Sequence, residues 1–164
     1  MAEVVIILGS SSDKDIAIKC AEILKKIGID YEITIASAHR TPERVKEIVT
    51  RSNAKVFIAI AGLSAALPGA VASYTTKPVI GVPVGGKVPL DSLLSTVQMP
   101  SGIPVACVGV DNGVNAALLA AEILAIQSKV ISKKLAHYRE ELKKKAEEES
   151  AKLMASKRLE IKGQ

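Results

Sequence analysis

Five short runs of β-branched and aliphatic residues, each followed by a stretch with helical spacing, constrain this 164-residue chain more than any other feature. The first, Val4-Val5-Ile6-Ile7-Leu8, is unbroken apolar sequence closed by Gly9, the pattern of a strand covered on both faces. A helix over 13–27 follows, with Ile16, Cys20, Ile23, Leu24 and Ile27 on one side and Gly28 as its stop. Residues 31–36, 55–61, 78–84 and 105–110 read as strands two to five. The segments between them read as helices. Thr41-Pro42-Glu43 opens one with Thr as N-cap, Pro at the first helical position and an acid in the first turn. Others cover 65–73, with Pro68 near the start, and 90–97. The helix over 115–126 has Glu122 as its one charge, which predicts burial on more than one side and, in a chain this small, a subunit interface.

Strands alternating with helices imply right-handed crossovers and a doubly wound parallel sheet. The predicted fold is α/β, a flavodoxin-like three-layer αβα sandwich with strand order 2-1-3-4-5. Residues 1–127 form this one domain. Residues 128–164 continue as a charged C-terminal helical extension, with Ile131, Leu135, Tyr138 and Leu142 at helical spacing, and are expected to pack on a neighbouring subunit.

Charge and composition exclude several classes. Residues 1–128 balance 11 basic against 11 acidic side chains, so the net charge of +5 lies in the extension. There the acids interleave with the bases, as on a solvated helix, and no nucleic-acid partner is expected. Aromatics are 2% of the chain, with no Trp and only Phe57 among phenylalanines, which leaves almost nothing for base stacking or for flanking a flavin. The N-terminus lacks the basic segment and the apolar length of an export signal, and no apolar stretch reaches the roughly 20 residues of a membrane helix. No membrane partner and a cytoplasmic location are therefore expected. Cys20 and Cys107 sit in apolar runs without a CxxC or zinc spacing, so no metal is expected.

In open α/β sheets the ligand lies beyond the carboxyl ends of the strands, where the strand order reverses. After the first strand comes Gly9-Ser10-Ser11-Ser12-Asp13, hydroxyls and free amides running into a helix start, which suits an anion. Asp13 can accept hydrogen bonds from a pair of ribose hydroxyls, although Ser and Asp also suit a plain capping turn. The segment is neither a P-loop nor a GxGxxG motif. After the second strand comes Ser37-Ala38-His39-Arg40, where Arg40 offers a planar fork to phosphate and His39 can act as acid, base or donor. After the third comes Ala61-Gly62-Leu63-Ser64-Ala65-Ala66-Leu67-Pro68-Gly69, small residues that let backbone approach a ligand. Gly85-Gly86 after the fourth can close over a pocket. A phosphoacceptor Asp after strand three, as a signalling receiver needs, is absent, and His137 in the extension reads as a solvated helix residue.

Taken together, GSSSD, SAHRTP, AGxxxALPG, GVPV, DSLLSxVQMPxGIPVA and NAALLAAEIL, in this order, resemble the purine-biosynthetic PurE family over residues 4–127. That family comprises N5-carboxyaminoimidazole ribonucleotide mutases and aminoimidazole ribonucleotide carboxylases. The resemblance implies a small-molecule substrate, an aminoimidazole ribonucleotide derivative with carbon dioxide, and no cofactor. It implies a homo-octamer with sites shared between subunits. Matched residue by residue, it implies phosphate contacts at Ser10, Ser37 and Arg40, ribose and ring contacts at Ser12 and Asp13, and a catalytic histidine at His39. Ala61, Gly62 and Leu63 would line the imidazole and carboxylate region. Bacterial mutases of the family carry a histidine in the pattern AGGAAHLPG, where this chain has Ala66, and the AGRSN-like loop of the carboxylase branch is also missing. On the sequence, transfer from the N5-carbamate is the main expectation and direct carboxylation the alternative.

Overall fold

The computed structural model of the chain describes residues 2–162, apart from the side chains of Pro89 and of residues 156–162. Strands β1 (Val4–Leu8), β2 (Tyr31–Ile35), β3 (Val56–Ala61), β4 (Val79–Pro83) and β5 (Ala106–Cys107) form one parallel sheet in the order β2-β1-β3-β4-β5. The fold is the doubly wound α/β sheet predicted. Since successive side chains on a strand point to opposite faces, β3 feeds two cores at once. Ile58 and Ile60 join Val4, Ile6 and Leu8 beneath α1 (Lys14–Ile27) and α5 (Gly113–Ala125). Phe57 and Ala59 join Val5 and Ile7 beneath α2 (Pro42–Arg51) and α3 (Leu67–Ser73). Phe57 is fully buried, and its removal from water is worth on the order of 2–3 kcal/mol.

Helix α1 ends as its sequence dictates. Gly28 takes φ 79, and its amide and that of Ile29 donate to Leu24 and Lys25 carbonyls, closing the last turn. Helix α4 (Pro89–Val97) lies on the α2/α3 face, with the Thr96 side chain against Gly81 of β4. No side chain fits at position 81 for that reason.

Two expectations change. The fifth strand is two residues long, not 105–110, because it is a sheet edge: only Ile80 and Gly81 pair with it before the chain turns at Asp111, φ 57. Helix α3 starts at Leu67 rather than 65, after Ser64 takes a left-handed conformation and Ala66 donates back to its carbonyl. Helix α5, with Glu122 as its one charge, buries Ala116, Ala117, Ala120, Ala121 and Leu124 within the chain, between α1, the sheet and α6 (Lys129–Lys162).

Helix α6 packs its first turns on its own chain. Ile131 and Leu135 enter the α1/α5 core. Lys26 pairs with Glu141 at 2.6 Å and sits 5.0 Å from the centre of the Tyr138 ring, and Arg139 pairs with Glu122 at 2.6 Å. The reason is the i, i+4 spacing of Ile131 and Leu135, which continues the apolar face that α1 and α5 leave open. From Leu142 to Ala155 every residue is exposed.

Candidate active site

The strand order reverses at β1, which has β2 on one side and β3 on the other. The loops after these three strands open around a cavity of about 390 Å³, within the range of small-molecule sites. The nine residues to which the resemblance gives roles all line it, Ser10, Ser12 and Asp13 from the first loop, Ser37, His39 and Arg40 from the second, and Ala61, Gly62 and Leu63 from the third, whereas Gly85 and Gly86 do not.

Each loop is shaped by local hydrogen bonds. Ser10 caps a 3₁₀ turn over Ser11–Asp13, its Oγ accepting from the Ser12 amide at 3.3 Å. The turn delivers Asp13 into the wall, buried, with its Oδ1 accepting from the Ser12 hydroxyl at 2.9 Å. Burial raises the Asp13 carboxyl above its ordinary range; the bonds from Ser12 and Ser10 oppose this, and the negative Asp111 adds to it. In the second loop the Thr41 hydroxyl does not cap α2. It turns back instead, accepting from the Ser37 amide at 3.0 Å, while the Ser37 Oγ accepts from the Arg40 amide at 3.2 Å. This closed turn pushes His39 and Arg40 outward to the exposed rim. The Arg40 Nη2 donates to the Gly9 carbonyl at 2.9 Å and bridges the first two loops.

The third loop extends the wall beyond the residues to which the resemblance gives roles. Ser64, Ala65, Ala66 and Leu67 also line the cavity, and Ser64 has φ 53. Nothing in the sequence marks a serine for that conformation. Ala66 is on the wall, so Asp13, His39 and Arg40 are the titratable side chains among the described lining residues. No group of three or more His, Cys, Asp or Glu is placed to hold a metal among the described residues.

Polar side chains on the rim, a buried carboxylate and a small-residue wall thus enclose one pocket of small-molecule size. The AIR carboxylase family profile matches residues 3–145. The chain belongs to the AIR carboxylase family. An N5-carboxyaminoimidazole ribonucleotide mutase of Methanocaldococcus jannaschii is 64% identical to it over 141 residues, covering 85% of this chain and 90% of that protein. A mutase of the same name from Pyrococcus horikoshii is 52% identical over 153 residues, with 90% of this chain and 86% of that protein covered. The crystal structure of Treponema denticola PurE superposes with a TM-score of 0.79 at 38% identity, over 92% of this chain and 97% of that one. This AIR carboxylase family member therefore shares its fold with solved relatives.

Proposed function

We propose that the protein acts as an N5-carboxyaminoimidazole ribonucleotide mutase of purine biosynthesis, moving a carboxyl group from N5 to C4 of the aminoimidazole. The observation that carries this reading is the single cavity in which three loops, distant in sequence, gather a hydroxyl cluster, an Arg-His pair and a glycine turn. The names borne by relatives up to 64% identical support the same reading.

In this reading Ser10, Ser37 and Arg40 hold the phosphate, and Ser12 and Asp13 hold the ribose and ring. Anchoring the remote phosphate lets binding energy fix the reacting end. The N5–carboxyl bond breaks, releasing carbon dioxide into the pocket. The aminoimidazole is an electron-rich enamine, so its C4 attacks the carbon dioxide and a C–C bond forms. The C4 proton leaves and the N5 nitrogen regains one, so the net reaction is an isomerisation. Ala61, Gly62 and Leu63 give a close-fitting wall that retains the gas, and His39 is the polar group that relays the proton.

The working form in this proposal is a homo-oligomer, an octamer, in the cytoplasm. Its support is exposed apolar surface on the single chain: Leu90, Leu94 and Val97 along α4, and Leu142 on α6. Among the described residues, no helix is long and apolar enough to cross a membrane.

The test supplies purified protein with N5-carboxyaminoimidazole ribonucleotide, or with aminoimidazole ribonucleotide and bicarbonate, in the absence of ATP. Turnover of the carbamate is expected. Efficient product formation from aminoimidazole ribonucleotide at modest bicarbonate, with no use of the carbamate, would overturn the mutase reading in favour of direct carboxylation.

A further inference from the structure

We infer that Asp91 is a positioning residue for the site: its carboxylate latches Ser64 in the left-handed conformation that shapes the third wall of the cavity. The wall runs from the end of β3 at Ala61 to the start of α3 at Leu67. Its bend is at Ser64, φ 53, a conformation that residues other than Gly, Asn and Asp rarely take. Such outliers persist where their surroundings hold them. Here the holder is visible. The Ser64 amide donates to Asp91 Oδ2 at 2.6 Å, a short charge-assisted bond across 27 residues of sequence.

The position of Asp91 is itself fixed. The next residue, Ser92, is fully buried and donates to the Val84 carbonyl just beyond β4 at 2.7 Å. An acid at the third helical position ordinarily reaches back to its own N-cap amide. Asp91 gives its oxygen to the neighbouring loop instead, and α4 has no side-chain cap bond. A relay of contacts, Val84 to Ser92 to Asp91 to Ser64, thus sets the shape of the wall from the rigid sheet. In the next loop an aspartate again accepts a loop amide, Gly85 to Asp111 Oδ1 at 2.9 Å, but there the left-handed residue is the acceptor.

The consequence for turnover rests on the mutase reading; the latch does not. The experiment measures kcat and KM on N5-carboxyaminoimidazole ribonucleotide together with hydrogen exchange of the Ser64 amide. Asp91→Ala is expected to lower kcat about tenfold or more with KM changed less than about threefold, because the wall that orients the reacting end moves while the phosphate rim stays. Asp91→Asn keeps an acceptor and most of the rate. Ser64→Gly in the Asp91→Ala background regains much of the loss, since glycine takes the bend without a latch. Ser64→Val, which leaves α4 untouched but disfavours the bend, reproduces the Asp91→Ala kinetics and keeps the test open if that variant does not fold. Wild-type kcat in both Asp91→Ala and Ser64→Val sinks the inference. A wild-type protein inactive on the carbamate sinks the mutase reading alone. In that case a Ser64 amide that exchanges at least about tenfold faster in Asp91→Ala upholds the latch, and unchanged exchange removes it.

Discussion

The Arg40 guanidinium donates to the Gly9 carbonyl oxygen across 2.9 Å, so the loop after β2 is tied to the loop after β1. A guanidinium has five donor N–H groups, this bond uses one of them, and Arg40 also lines the cavity. One side chain therefore both joins two walls of the site and supplies its positive charge.

Arg40→Ala should raise KM about 10- to 100-fold while lowering kcat much less, because it removes a phosphate anchor distant from the reacting carbon. Arg40→Lys keeps the charge without the fork and should fall between the two. Steady-state kinetics on the carbamate decide. A KM unchanged in Arg40→Ala would contradict the anchoring role.

His39→Asn should behave in the opposite way. Loss of a proton relay typically costs about 10²- to 10⁴-fold, and here that loss should appear in kcat with KM within about threefold of wild type. A kinetically silent His39→Asn would remove the histidine from the mechanism.

Asp13 predicts a pH effect on stability. Its carboxyl is raised by burial, so the folded protein holds this proton more tightly than the unfolded chain does. Its favourable contribution is therefore full below the unfolded carboxyl value, about 4. It is lost as pH rises through the folded value. Asp13→Asn, whose amide oxygen can still accept from Ser12, should unfold at higher denaturant than wild type at pH 7. The advantage should vanish below about pH 4. Chemical denaturation across that range tests the sign.

Gly113 starts α5 against α1, and a Cβ there would collide with the Ile16 carbonyl oxygen. Backbone cannot swing aside, so Gly113→Ala should cost about 1–3 kcal/mol. At Gly109 a Cβ meets only ordinary contacts, the nearest at 3.7 Å, and Gly109→Ala should stay within about 0.5 kcal/mol of wild type. Equal denaturation midpoints for the two variants would refute the collision.

Deleting residues 143–164 spares Ile131, Leu135, and the Lys26–Glu141 and Arg139–Glu122 pairs. The shortened chain should keep its far-ultraviolet circular dichroism per folded residue, yet show a smaller particle by light scattering if the exposed part of α6 packs on a neighbour. An unchanged particle would assign that stretch no part in assembly.

Much of this protein was legible in one dimension. The runs at 4–8 and 55–61 specify strands because only burial on both faces accommodates unbroken Val and Ile. Likewise Gly28 ends α1 because a helix closes on a left-handed residue. Position beyond strands one to three marked Ser10, Asp13, His39, Arg40 and Gly62 as neighbours before any coordinates, since parallel crossovers put successive loops at one edge. Long-range pairing decided the rest. The fifth strand stops at Cys107 because an edge has one partner, and α5 is covered by α6 of the same chain. Above all, Ser64 bends left-handed because Asp91, 27 residues away, accepts its amide. Local sequence encodes periodicity and caps, which act over a few residues. A contact across two crossovers depends on how the layers stack, and no short window contains that.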